Sequence, residues 1–212
     1  MPLDAAQIFA HLQSRVGDAV MDFTPPSDPA GKESIRDAFC KVVPERWHDV
    51  AAVLRDDEAL RFDFLQCITG VDWPKANKIE CVYHLYSYPL RHSFVVKAEM
   101  PRENPVVPSV TDLWATADWN EREQFDLVGI GFSNHPDLRR IMLPDDWVGH
   151  PLRKDWKEPA RYRNMPTTRP SPLDLLPMYD KAHAAEHKSL PIVGQPATAA
   201  APENNDPHKA GH

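Results

Sequence analysis

The 212-residue sequence predicts an α+β fold, a mixed and largely antiparallel sheet packed against helices as a layered sandwich, followed by an extended proline-rich C-terminal arm. Three observations predict it. First, Leu60, Phe62, Phe64 and Ile68 alternate as in a half-buried strand, and so do Phe94, Val96, Ala98 and Met100. A less regular run, residues 79–87, lies between them, and the short connections force antiparallel pairing because parallel neighbours need a long crossover. Second, apolar residues recur at helical spacing in three other stretches. Third, nine of the 22 prolines fall after Asp155, where no long periodic pattern survives.

Residues 1–23 are predicted to hold a helix and a strand, with Ile8, Phe9, Leu12 and Val16 on one helical face behind an acidic start at Asp4. The breaker-rich TPPSDPAGK marks a linker over 24–33. The main domain is placed at 34–155. In it, residues 34–43 read as a strand, and Pro44 opens a helix where its missing N–H costs nothing, with Trp47, Val50, Ala51 and Leu54 sharing a face. VDWPKANK reads as a loop and YPLRH as a turn. Ser109 is the expected N-cap of a helix over 110–128, with Asp112 three residues on. In that helix Val110, Leu113, Trp114, Ala117, Phe125 and Val128 form one stripe, and Glu121 falls in its middle. A carboxylate there needs a partner, and Arg139, Arg140 and Arg153 are the candidates for a buried ion pair. Residues 156–190 read as an extended docking arm, because Trp156, Tyr162, Leu173, Leu175, Leu176, Met178 and Tyr179 are too apolar for a solvent linker. Residues 191–212 read as a disordered tail.

Composition excludes several function classes. The net charge of −7 argues against nucleic acid or an anionic membrane as the main partner. Cys40, Cys67 and Cys81 are widely spaced and unclustered with His, so the chain is expected to hold no iron–sulfur or zinc site of its own. Neither G-x-G-x-x-G nor a Walker pattern occurs, so nucleotide binding is not expected. The N-terminus lacks a basic n-region and an apolar h-region, and no apolar run reaches the ~20 residues of a spanning helix. Membrane association is therefore expected through partners.

The densest chemistry lies in Glu121–Asp155. Glu121, Arg122, Glu123 and Asp126 have the types for general acid–base work, but one buried ion pair plus an outer charged face is the simpler reading. His135 and His150 could ligate metal or carry protons; in H-P-D and G-H-P settings they more simply satisfy backbone groups at turns. Asp145 and Asp146 fit a turn and cap before Trp147 better than a cation site. His183 and His187, in HAAEH, lack the H-E-x-x-H order. Gly129 and Gly131 fit helix termination and a tight turn. Residues 135–169 carry eight Lys/Arg against five acids, so this stretch is +3 and the remainder −10. Arg139, Arg140, Arg153, Lys154, Arg161 and Arg163 therefore suit an acidic partner surface.

The order Glu121-Arg122-Glu123, two residues, Asp126-Leu127-Val128, six residues, His135, three residues, Arg139, one residue, Ile141-Met142 resembles the signature of the respiratory complex I 30 kDa subunit family, the C-type subunits of the peripheral arm. The run Gly149–Asp155 is similar to that family's downstream element. The resemblance covers about residues 30–160. It implies a cofactor-free structural subunit of a proton-translocating NADH:quinone oxidoreductase, a translocase in which electrons pass from NADH through FMN and iron–sulfur clusters in other subunits to quinone. It also implies that Glu121, Arg122, Glu123, Asp126, His135, Arg139, Arg140, His150, Arg153 and Lys154 are signature or interface residues and not catalytic ones. The implied partners are the subunits of the quinone site and terminal iron–sulfur cluster. The implied location is the cytoplasmic side of a bacterial inner membrane, or the mitochondrial matrix side. Two rivals stand beside it: the equivalent subunit of a membrane-bound hydrogenase or a quinone reductase with another donor, and a free-standing enzyme using His135 and Glu121.

Overall fold

A computed structural model describes residues 2–26 and 37–167. The chain divides into two compact units, Met1–Glu158 and Pro159–His212. The first helix, α1, runs Ala5–Val16; Asp4 accepts the Gln7 N–H while the Gln7 side chain accepts the Asp4 N–H, a reciprocal cap. Strand β1 is Val20–Thr24 and β2 is Phe39–Val42. The expected strand over 34–43 is thus shorter, its first three positions lying outside the described residues. Pro44–Arg46 forms a single 3₁₀ turn that leads into α2, Trp47–Asp56.

Strands β3 (Phe64–Trp73), β4 (Lys78–Ser87) and β5 (His92–Pro101) form an antiparallel meander. Val71, Asp72 and Trp73, expected in a loop, belong to β3; only Pro74–Asn77 turn, with Asn77 in the left-handed region at φ 50°. Leu60 and Phe62 lie ahead of β3 yet are fully buried. The sheet has five strands in the order β1-β2-β5-β4-β3, antiparallel except for the β2–β5 pair. A small parallel pair joins β6 (Val106–Pro108) to β7 (Gly131–Ser133), and between them lies α3, Ala117–Leu127. In the second unit β8 (Arg161–Tyr162) and β9 (Met165–Pro166) make a short hairpin, closed by Thr167 N–H on Ala160 O and the Thr167 hydroxyl on Pro159 O.

The two sheet faces differ as period-2 alternation requires. One face buries Cys40, Cys81, Tyr83, Val96 and Ala98 with Ile8, Leu12, Trp47, Val50 and Leu54 of the helices, all fully buried. Each such large side chain contributes about 1.5–3 kcal/mol of burial. The other carries an ion-pair ladder across four strands: Lys41 bonds Asp22 and Glu99 at 3.1 Å, Lys78 bonds Glu99 at 2.7 Å, and Glu80 lies 3.7 Å from Lys78 and Lys97.

Candidate functional site

Helix α3 carries the charged signature, and it is shorter than expected. Ser109 N–H is tied to Ser133 O at 2.9 Å, and residues 110–114 form a turn in which Leu113 and Trp114 N–H both bond Val110 O at 3.0 Å. The Ser109 hydroxyl accepts from Thr111 N–H, so it caps that turn and not the helix; Thr116 stands at the α3 N-cap position. A continuous 110–128 helix does not form: residues 110–114 close a turn of their own and the helix starts at Ala117. Trp114 docks separately, its indole N–H donating to Phe62 O at 2.9 Å.

The buried residues of α3 are Ala117, Glu121, Arg122, Gln124 and Asp126, mostly polar. Gln124 faces β3: its side-chain oxygen accepts Gly70 N–H at 2.8 Å. A Cβ on Gly70 would lie 2.9 Å from the Ile130 Cδ1 and 3.0 Å from the Gln124 Oε1, so a larger residue there has to displace those side-chain ends. Arg122 extends the other way and donates to Arg139 O at 3.3 Å and Arg140 O at 3.4 Å.

The expected ion pair exists, but on a different carboxylate. Arg140 Nη1 bonds Asp126 Oδ1 at 2.7 Å, and Asp126 Oδ2 accepts the N–H groups of Ile141, Met142 and Leu143 at 3.1, 2.8 and 2.8 Å. The Asp126 side chain is fully enclosed. Burial pushes its carboxyl up, but the Leu143 and Met142 N–H groups, the Arg140 guanidinium and Ile141 N–H outweigh it and hold it below the usual aspartate value. Asp126 thereby organises residues 139–143 around the helix end.

The downstream Gly149–Asp155 element closes the same end. A helix leaves its last carbonyls unpaired and negative in potential. Here Asp126 O accepts from His150 Nδ1 at 2.9 Å, Leu127 O from Leu152 N–H at 2.9 Å, Val128 O from Arg153 Nε at 2.7 Å and Gly129 O from Arg153 Nη2 at 3.3 Å. Four successive carbonyls are thus capped by one tetrapeptide. Gly129, at φ 80°, ends the helix, and a Cβ there would lie 2.6 Å from the His150 ring. His150 and Arg153 are therefore structural here.

Glu121 has no Lys or Arg partner among the described residues. Its Oε1 accepts Val110 N–H at 2.8 Å, while Oε2 faces His135 Nε2 at 3.9 Å; both side chains are fully enclosed. Arg139 pairs instead with Asp137 at 2.8 Å and remains exposed. Burial, above all, raises the Glu121 carboxyl to about 7; the Ser109 hydroxyl and Val110 N–H lower it, and Asp118 and Asp112 raise it further.

One cluster carried no local sequence signal. Arg102 bonds both oxygens of buried Asp72 at 2.7 and 3.0 Å and reaches Asp155 at 2.5 Å, and Lys154 N–H also donates to Asp72 at 2.9 Å. The Lys154 side chain, like Arg139, points to solvent. Exposed apolar side chains, Trp119, Met142, Val148 and Leu152, occur in the same segments. Asp145 and Asp146 sit in a turn, with Trp147 N–H on Pro144 O. His183 and His187 lie outside the described residues. No group of three or more His, Cys, Asp or Glu among the described residues is placed to hold a metal ion.

The chain is similar to known proteins in sequence and in fold. Residues 40–162 match the family described as respiratory-chain NADH dehydrogenase, 30 kDa subunit. The chain is 45% identical over 157 residues to the C-type subunit of the NADH-quinone oxidoreductase of Roseiflexus castenholzii, covering 73% of this chain and 85% of that one. It is 38% identical over 155 residues to the same-named subunit of Chloroherpeton thalassium, covering 73% and 61%. Its fold is similar to a chain of the membrane-bound sulfane sulfur reductase, an archaeal respiratory membrane complex, with TM-score 0.59, 24% identity and coverage of 72% and 85%. The chain belongs to the respiratory-chain NADH dehydrogenase 30 kDa subunit family.

Proposed function

We propose that the chain is the cofactor-free structural 30 kDa subunit of the peripheral, quinone-module arm of a proton-translocating NADH:quinone oxidoreductase. Its 45% identity to the Roseiflexus subunit, across 85% of that subunit's length, carries this reading. In such a complex the redox chemistry belongs to other subunits, and this one positions them. Glu121 and His135 do meet, but with both side chains fully enclosed no substrate group reaches them in this conformation.

The geometry divides Arg139, Arg140, Arg153 and Lys154 into two sets. Arg140 and Arg153 hold the α3 end together, whereas Arg139 and Lys154 are exposed and available to a partner. With Trp119 and Met142 they supply the charged rim and apolar centre of a contact surface for the quinone-site and terminal-cluster subunits. Residues 156–190 are the docking arm in this reading, and Arg161 within it is exposed. No described helix is long and apolar enough to cross a membrane, and attachment to the cytoplasmic or matrix face runs through those partners.

Affinity purification of the tagged full chain from its own membranes, with mass spectrometry, tests the assignment. Flavin, iron–sulfur and quinone-site subunits should come with it; hydrogenase subunits would select the related assembly, and recovery of the folded chain alone would overturn both. Arg139→Glu should leave the fold intact while reducing yield of the complex, and an unchanged yield removes Arg139 from the interface.

A further inference from the structure

Glu121 is a buried acid with no task in the contact surface. It projects from α3 into the junction of three other elements, and the groups facing it are known from each. From its own helix comes Asp118. From the 109–114 segment come the Ser109 hydroxyl, Val110 N–H and Asp112, itself paired with His48 of α2 at 2.9 Å. From the turn after β7 comes His135. From β4 come Cys81 and Tyr83, on which the Glu121 charge acts, and Tyr83 lies 4.2 Å from Trp47, ring centre to ring centre. Arg122, the adjacent cation, is turned away to carbonyls 139 and 140.

The orientation of His135 decides what Glu121 meets. Asp137 N–H donates to His135 Nδ1 at 3.0 Å, which assigns the remaining proton of the neutral ring to Nε2. That Nε2–H donates to Asp118 O at 3.3 Å; Asp118 Oδ1 lies 3.3 Å away without accepting it, and Glu121 Oε2 is left at 3.9 Å. Neither Glu121 Oε2, the Tyr83 hydroxyl nor the Trp47 indole N–H has a hydrogen-bond partner among the described residues. A charge on Glu121 would therefore sit in a fully enclosed site near Asp118 and Asp112, with only the Ser109 hydroxyl and Val110 N–H to stabilise it, a costly arrangement.

We propose that Glu121 is a buried proton-binding site, which carries a proton on Oε2 in the folded chain under mildly acidic conditions and releases it as pH rises through neutrality. Oε1 is occupied by Val110 N–H, so the proton resides on the other oxygen. Binding the proton removes the uncompensated charge and lets α3 hold the Ser109–Asp112 and Asn134–His135 segments. These same segments line a surface cleft of about 500 Å³ with His48, Pro108, Ser109, Thr111, Asp112 and Asn134. Release of the proton loosens that junction, so the shape of the cleft follows pH.

The sign of the effect follows from linkage. A carboxyl raised on folding binds its proton more tightly in the folded state, so stability is highest below the unfolded value and declines as pH rises towards the folded one. Carbon NMR of the glutamate carboxyls in the full chain, titrated with pH, tests this without any variant. One resonance, absent from Glu121→Gln, should titrate near 7; a Glu121 midpoint in the ordinary range, about 4.3, overturns the proposal. Thermal melts give a second reading. The wild type should lose melting temperature between about pH 4.3 and about pH 7, and Glu121→Gln should lose distinctly less and melt no lower than wild type at the alkaline end. Parallel pH profiles overturn the proposal. If the variant fails to fold, the wild-type titration, assigned by through-bond correlation, decides alone.

Discussion

Glu121 and Asp126 are two carboxylates on one helix, five residues apart, both with no exposed surface, and they are pushed in opposite directions. About 7.5 Å of rise separates them. Asp126 stands at the helix end, where the next segment wraps it with three N–H groups and a guanidinium. Glu121 stands in the middle, where no Lys or Arg among the described residues reaches it and one N–H is all the backbone supplies. Burial alone does not set the charge state of a carboxylate; the number of donors converging on it does. Where donors converge, the charge becomes an organiser of loops. Where they do not, the site stores a proton.

Asp126→Asn should break the comparison most severely. It leaves Arg140 largely buried without its counter-charge, and about 3–5 kcal/mol of stability should be lost in denaturant unfolding. The pH dependence has the opposite sign to that of Glu121. With its folded value held low, Asp126 stabilises fully above the ordinary aspartate value of about 3.9 and loses that contribution as pH falls through the lower folded value. Acid unfolding of the wild type should therefore steepen in that window, and the variant should show less of it.

Gly129→Ala should cost less, about 1–2 kcal/mol from the left-handed backbone and more if His150 cannot shift. It sharpens the comparison because it disturbs the His150–Arg153 cap while leaving Glu121 untouched; a Glu121 titration that moved with it would show the two ends to be coupled. Asp4→Ala gives the smallest effect, about 1 kcal/mol for one lost helix cap far from both carboxylates. A loss as large as that of Asp126→Asn would show α1 to be more than a capped surface helix.

Much of the fold was legible because it rests on local patterns. The stripes of α1 and α2 name their buried faces, and Phe94, Val96, Ala98 and Met100 alternate along β5 as they do in the sequence. The signature helix was read too long because its start is decided by non-local bonds: Ser109 is tied to Ser133, which no helical periodicity reveals. The buried ion pair expected at Glu121 does not form; Arg140 pairs with Asp126 instead. A hydrophobic stripe shows which carboxylate is buried, and it does not show where a guanidinium on a following loop will reach. Asp72 and Arg102, 30 residues apart in sequence and bonded through both carboxylate oxygens, left no spacing to detect.

The one parallel pairing within the five-stranded sheet, β2 beside β5, has a consequence for the order of assembly. Strands β3, β4 and β5 meet through tight turns and can form as soon as they exist. Strand β2 precedes them but must wait, since Phe39 finds its neighbour at Val95, across a long stretch of the main unit. Closing that loop carries an entropic cost before any pairing repays it. Mutations in the meander should therefore slow folding, whereas mutations in β1 and β2 should chiefly speed unfolding. During synthesis, the half of the sheet made first is the half that is completed last.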